Sequence, residues 1–419
     1  MKLVLIGAGN RGSIYAGYAV EKRGEEIVAV VDPDDEKRRI AAERFHVPGE
    51  NLFADFESFC DKGKIADGVI LASMDRDHYA QTMKALELGY DILLEKPISP
   101  DPRECLAIQK KAAECGKTVM VCHVLRYTNF FAGIKQIIDS GELGRVVTIQ
   151  HAENVGNFHM AHSFVRGNWR NSEMTSPIIM QKSCHDMDIL VWLVNSEAKS
   201  ISSFGNLSYF KEENAPKGSA ARCLDCPVAA DCRFDVRKAY LPMAGGWPAT
   251  VVNEDQSEEA LLEAFKTGPY GRCVYRCDNN VCDHQVTNIL FKNGVTVSFI
   301  LSGLTNRMHR TIKVMCENGE ILGDDETSEL IVTHYSSNSK YEGESRRIRV
   351  ENAEGFHGGG DFGLTMDFLD EISGLDAKKR SSIERSVESH LMAYAAEKSR
   401  TTGEVIDMDQ LKQELSQKF

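Results

Sequence analysis

The stretch "KLVLIGAGNRGSIYAGYAVEKRGEEIVAVVDPD" at residues 2–34 restricts the fold more than any other part of the chain. An apolar run at 2–6 has the character of a strand covered on both faces. Gly7, Gly9 and Gly12 follow it in G-x-G-x-x-G spacing. Gly7 permits a tight turn, Gly9 lets backbone approach a pyrophosphate, and Gly12 brings the next helix against the sheet, so that the helix N-terminus faces the anion. The second strand, "IVAVVD", ends on Asp32, about 20 residues beyond the glycines, where a carboxylate accepts from both ribose hydroxyls of NAD and repels a 2'-phosphate. A glycine-rich turn beside an ordinary surface aspartate is the plainer alternative. Strand, helix and acid in this order weigh against it.

The same alternation continues with a helix from Asp34 to about Phe45, the strand "DGVILAS", the helix "HYAQTMKALELG", the strand "DILLE", a helix from Pro102 to about Cys115, and the strand "TVMVCH". This predicts a doubly wound parallel sheet with its ligand beyond the carboxyl ends of the strands. "LLEKPISP" places Glu95, Lys96 and Pro97 at such an end, where the proline holds Lys96 out of helical geometry. From Val146 onward the pattern changes to period-2 strands joined by Asn-Gly or acidic turns, as in "VTNILFKNGVTVSFILSG", which predicts a largely antiparallel sheet. Amphipathic helices "DFGLTMDFLDEIS" and "IERSVESHLMAYAAEKS" close the chain.

The 419 residues, 42% of them hydrophobic, suffice for more than one core. A net charge of −13 excludes nucleic acid and an anionic membrane surface as natural partners. No charged leader precedes the first strand and no apolar run reaches the ~20 residues of a membrane span, so a cytoplasmic protein is expected.

In "GAGNRG", Asp32, "EKP" and "HVLRYTNFF" the chain resembles the Gfo/Idh/MocA family of sugar and cyclitol oxidoreductases. The resemblance implies a Rossmann unit at 1–123 and a substrate and oligomerisation α+β unit at 124–419. It also implies a small carbohydrate substrate, NAD as cofactor and a homo-oligomer. The cofactor set expected is Gly7, Gly9, Asn10, Arg11, Gly12, Asp32, Ser73, His78, Glu95 and Lys96. In that family the EKP lysine contacts the nicotinamide ribose and the reacting hydroxyl, which implies that role for Lys96; a lysine paired with Glu95 at a strand end is the plainer alternative.

"SPIIMQKSCHDMDILVWLV" predicts one helix from about Pro177 to Val194, with Gln181, His185 and Asp188 on one face and Lys182 beside them. The resemblance implies that His185 is the general base. It departs from the family at Gln181, where an aspartate is usual; an amide holds no charge with which to raise an imidazole's pKa. Lys182 would lower that pKa and favour a neutral base. Further substrate contacts are expected from His123, Arg126, Tyr127, Trp169, Arg170 and His284. The reaction expected is hydride transfer to nicotinamide while His185 takes the hydroxyl proton and Lys96 stabilises the oxyanion. Glycoside cleavage by oxidation and elimination with retained NAD, and a non-catalytic NAD-binding sensor, stand as alternatives.

Half of the cysteines fall between 223 and 282. Cys223, Cys226 and Cys232, with Cys277 narrowly ahead of Cys273 as the fourth, have ligand spacing for tetrahedral zinc, with an iron–sulfur cluster as the competitor. They lie in an insert at about 205–283 that resembles a subgroup carrying "RCLDCP", "GPYGRCVY" and "DHQV". "FHGGGD", with His357, is either a loop that closes over a sugar or a plain helix leader.

Overall fold

The structure, a computed structural model, describes residues 1–338, 340, 342–351, 353 and 355–417. Among the described residues the first sheet has six parallel strands: β1 (Lys2–Ile6), β2 (Glu26–Val31), β3 (Leu52–Phe53), β4 (Gly68–Leu71), β5 (Asp91–Leu94) and β6 (Val119–Val121). Their order is β3-β2-β1-β4-β5-β6, so the strand order reverses beside β1, at the crevice where the Gly7 turn opens. Leu3, Val4, Leu5, Val69, Ile70, Ile92, Leu93 and Leu94 are almost wholly buried. Such side chains contribute roughly 1.5–3 kcal/mol each, which fixes a strand covered by helices on both faces. The helix Asp35–Phe45 starts where Asp34 accepts from the N–H groups of Glu36 and Lys37. The two-residue β3 and the short helix Phe56–Cys60 have no counterpart in the sequence expectations, being too short to carry a periodic signal.

The second sheet has nine strands in the order β14-β13-β12-β11-β7-β10-β9-β8-β15: β7 (Val146–Asn154), β8 (Ala198–Asn206), β9 (His284–Phe291), β10 (Thr296–Ser302), β11 (His309–Cys316), β12 (Gly319–Asp324), β13 (Glu329–His334), β14 (Ser345–Arg349) and β15 (Ile406–Asp407). Neighbours are antiparallel except β7 and β10, which run parallel. One face is covered by the helices Cys184–Val194 and Ile383–Thr402, so burial alternates along β9 and β11. The other face carries exposed Val147, Phe204, Val286 and Ile300.

The single helix expected from Pro177 to Val194 is instead two, Ile178–Gln181 and Cys184–Val194. The break at Lys182 and Ser183 turns the backbone carbonyl of Gln181 toward the first sheet, where a lysine donates to it. Residues 207–283 between β8 and β9 form short helices and turns around a small second core that includes Val236, Tyr240, Leu261 and Phe265. No described helix is long and apolar enough to cross a membrane.

Candidate active site

The glycine turn is built to its limits. Gly7 sits at φ +85°, and a Cβ there would lie 2.4 Å from the Ala72 carbonyl oxygen; a Cβ on Gly12 would lie 2.1 Å from the Gly7 oxygen. Gly9 faces open space, with nothing within 4 Å of where its Cβ would be, and it precedes the helix Asn10–Arg23 without a side-chain cap. The turn therefore leaves a cradle with backbone N–H groups at a helix start, which fits a pyrophosphate. Asp32 closes the other end, its carboxylate accepting from the N–H groups of Ala8 (2.8 Å) and Asp34 (2.9 Å).

Of the other residues expected at the cofactor, several hold the site rather than face it. Arg11 packs over the Tyr15 ring at 4.7 Å and donates to Tyr15, Glu95 (3.0 Å) and Asp361 (3.1 Å), so its guanidinium is committed to protein. Glu95 also accepts from the Tyr15 hydroxyl (2.8 Å) and from the Lys96 N–H (2.6 Å). His78 is buried, with Nδ1 2.8 Å from the Pro97 oxygen and Nε2 3.2 Å from the Ser73 oxygen. The Ser73 hydroxyl donates to Gln81 (2.6 Å), while Asn10 is exposed at the rim. Glu95 and His78 thus brace both sides of the Lys96–Pro97 turn.

Lys96 reaches the end of the helix Ile178–Gln181, its Nζ donating to the Gln181 carbonyl at 2.9 Å. Four residues on, His185 is 7% exposed, and its Nδ1 is buried without a hydrogen-bond partner. Burial first, then the charge of Lys96 and further groups including His123, hold the His185 imidazole well below the ordinary histidine range. The His123 ring lies 5.7 Å from it and the His357 ring 6.5 Å on another side. His357, left-handed at φ 49°, reaches Asp361 at 3.0 Å, so the glycine loop delivers an imidazole to this site.

The missing carboxylate near Gln181 comes from elsewhere in the chain. Gln181 Nε2 donates to Asp75 at 2.5 Å, and Ser176 donates to the same oxygen at 3.1 Å. The other oxygen of Asp75 is buried without a hydrogen-bond partner. Lys182 pairs with Glu153 at 3.4 Å, and burial, its main cause, lowers the lysine pKa. Asp186 lies between His151 (2.8 Å) and Arg310 (2.8 Å), and Arg310 also pairs with Glu153. Its carboxyl is held down against burial by those two partners.

Most of the expected substrate contacts are engaged by protein groups. Arg126, 2% exposed, makes a two-pronged ion pair with Asp188 (2.6 and 2.7 Å), so neither side chain is free to grip a ligand. Tyr127 donates to Asp367 at 2.7 Å. His123 is fully buried, with Nε2 3.8 Å from Asp188. Arg170 pairs with Asp278 (2.7 Å), Trp169 is exposed, and His284 is held by Asp283 (2.8 Å). Asp75, His159 and Trp247 escaped the sequence expectations as site residues, whereas His357 lies in the glycine loop expected as either a sugar lid or a helix leader. His159, whose pKa is lowered by burial and then by Lys182, stacks edge-on against Trp247 at 5.1 Å. The segment 207–283 thereby supplies an aromatic wall beside Lys182.

The expected zinc ligands are corrected. Cys223, Cys226 and Cys232 line one cavity together with Cys273, whereas Cys277 turns its thiol to the Cys273 carbonyl at 3.3 Å. Among the described residues no three His, Cys, Asp or Glu side chains converge closely enough to hold a single metal ion.

Residues 1–123 match the family described as an oxidoreductase family with an NAD-binding Rossmann fold, and 135–408 match its C-terminal alpha/beta domain. The chain belongs to this family of oxidoreductases, Gfo/Idh/MocA. Among its relatives, YteT of Bacillus subtilis is 23% identical over 82% of each chain. The inositol 2-dehydrogenase of Rhodococcus erythropolis is 27% identical over 48% of this chain, which spans only about 55% of that relative's length. A levoglucosan dehydrogenase solved with NADH and levoglucosan shares the fold at TM-score 0.70 and 18% identity, over 97% of this chain and 99% of its own.

Proposed function

We propose that the protein is an NAD-dependent dehydrogenase that oxidises a secondary hydroxyl of a sugar, glycoside or cyclitol. The observation that carries this reading is the meeting of Lys96 and His185. The ammonium bonds to the carbonyl four residues before a buried imidazole whose Nδ1 has no partner. The Gly7–Gly12 cradle and Asp32 would hold NAD, which supplies the hydride acceptor. Burial and the Lys96 cation keep His185 neutral at physiological pH, so it can take the hydroxyl proton. Lys96 opposes the charge that develops on the substrate oxygen. Asp75, through the Gln181 amide, sets the geometry of the carbonyl that holds Lys96. The wall of His159 and Trp247 suits the apolar face of a sugar ring.

The names of the relatives, inositol 2-dehydrogenase and levoglucosan dehydrogenase, support a polyhydroxylated ring as substrate class. The exposed Val147, Phe204, Val286 and Ile300 support a homo-oligomer joined through the open sheet face. The test incubates the protein with NAD and a panel of glycosides and cyclitols while following both NADH absorbance and aglycone release. NADH formation with an intact ring substrate is the expected result. Aglycone release without NADH would identify cleavage instead, and binding of NADH with neither signal would identify a sensor.

A further inference from the structure

Two further buried histidines lie beside His185: His123, just past β6, and His390, in the helix Ile383–Thr402. The ring of His123 is 5.7 Å from that of His185 and 5.4 Å from that of His390. Burial, the largest cause for each, holds all three imidazoles below the ordinary histidine range. Each is therefore neutral, with one nitrogen to donate and one to accept. The bonds around them fix which is which. His390 Nε2 accepts from the Ile98 N–H (2.9 Å), so its Nδ1 carries the proton and donates to the Ser386 carbonyl (3.1 Å). The Ser389 hydroxyl donates to the same carbonyl at 2.7 Å, which leaves its oxygen to accept from His123 Nε2 at 3.4 Å. The Asp188 carboxylate, 3.8 Å from that nitrogen, also favours a proton there. His123 Nδ1 is then a bare lone pair, and it is buried without a partner.

His185 presents the opposite case. Its Nδ1 is buried and unpartnered, so Nε2 is the nitrogen left to meet a substrate, and a neutral imidazole that accepts at Nε2 carries its proton at Nδ1. An orphaned donor and an orphaned acceptor thus belong to neighbouring rings that stand edge-on at 76°. Buried polar groups are rarely left unpaired. We propose that His123 is the positioning residue of the base, its Nδ1 accepting the His185 Nδ1–H. Such bonds are often long in an unliganded site and tighten as substrate binds. The effect of this pairing on turnover rests on the dehydrogenase reading. The bond holds His185 in the tautomer whose Nε2 lone pair is open to the hydroxyl. That Nε2 takes the hydroxyl proton while the hydride passes to nicotinamide, and the resulting imidazolium keeps its Nδ1–H on His123. Asp188, beside His123 Nε2, offsets the new positive charge. Lys96, Arg310 and His357 act on His185 from other sides, and Arg126 on His123, so Asp188 is the counter-charge nearest this chain of rings. Ser389 and His390, from a helix near the end of the chain, complete the support.

The test starts with the unaltered full-length protein, its histidine ring nitrogens isotope-labelled. Long-range proton–nitrogen correlation spectra distinguish the two tautomers whether or not the protein turns over, so this readout stands apart from the dehydrogenase reading. At neutral pH His185 should carry its proton at Nδ1 and His123 at Nε2, with signals assigned by their loss in His185→Phe and His123→Phe. A proton on His185 Nε2, or on His123 Nδ1, overturns the proposal. Steady-state kinetics supply the second readout. His123→Phe keeps the ring but neither nitrogen, and should lower kcat by about tenfold or more with KM within about threefold of the parent. His123→Asn, whose amide oxygen can stand in for Nδ1, should recover most of that loss. Parental kcat in His123→Phe, or an equal loss in both variants, refutes the positioning role. A parent that forms no NADH from any ring substrate would sink the dehydrogenase reading and leave the tautomers to decide the pairing.

Discussion

Replacing Arg126 with methionine separates two roles for this residue, a grip on substrate and a buried counter-charge. The guanidinium is 2% exposed, Asp188 is 1% exposed, and the two are joined at 2.6 and 2.7 Å. Arg126 also donates to the Arg380 carbonyl at 2.7 Å. Burial pushes the Asp188 carboxyl up while Arg126 pulls it down, so the variant leaves a dry carboxylate with its main opponent removed. Stranding one partner of such a pair costs about 3–5 kcal/mol. At roughly 2 °C per kcal/mol in a chain of this size, the melting temperature should fall by about 6–10 °C. The double variant Arg126→Met, Asp188→Leu removes both charges and should recover all but about 1–2 kcal/mol. Differential scanning calorimetry with NAD absent measures the loss, and steady-state kinetics at low temperature should find KM within about threefold of the parent. Unchanged melting with a KM raised more than about tenfold would mean that Arg126 holds the substrate after all.

Other consequences can be measured in the same preparations. Lys96→Ala should abolish turnover while leaving dinucleotide binding, followed by NADH fluorescence, intact; full activity would remove the lysine from the mechanism. Gly12→Ala should weaken NAD binding by well over tenfold, more than about 1.4 kcal/mol, because its Cβ would strike the Gly7 carbonyl; titration calorimetry would detect parent-like affinity if the turn were loose. Burial holds His162 down to about 4 and His390 to about 3, and pushes His123 and His185 the same way. Below about pH 6.5 the unfolded chain therefore binds protons that the folded chain refuses. Stability should be complete above that pH and fall steadily from pH 6.5 toward 4, and a flat melting profile over that range would contradict the buried neutral histidines. The acid limb of kcat/KM should likewise lie below about pH 6.5.

What was legible in the sequence follows the reach of each interaction. The Gly7–Gly12 turn, the Asp34 cap and the apolar runs of β1 and β5 are local patterns, and they are found where expected. Lys96 and His185 carried motif signals strong enough to mark them. Long-range pairing was not legible. Gln181 meets Asp75, Arg126 meets Asp188 and Tyr127 meets Asp367, and nothing in the spacing of "HVLRY" distinguishes a ligand-gripping arginine from one spent on a distant carboxylate. The break at Lys182–Ser183 escaped the sequence reading because neither Gly nor Pro marks it; a tertiary bond from Lys96 to the Gln181 carbonyl accompanies it. Cys273 and Cys277 are one helical turn apart in sequence, so only the fold could choose between them.

The far edge of the first sheet is sealed by the end of the chain. Val121 in β6 donates to the Ser381 carbonyl at 2.8 Å, and the Ile98 N–H, two residues past Lys96, donates to His390 at 2.9 Å. Both donors are backbone N–H groups, so the seal depends on where the amino-terminal portion places its main chain and, at Ile98, on the His390 imidazole that accepts from it. A chimera that exchanged only the amino-terminal portion with a relative would keep both bonds where the incoming backbone follows the same path, and the stretch around 381–390 is the part that tests this fit, although more than two hundred residues separate it from β6.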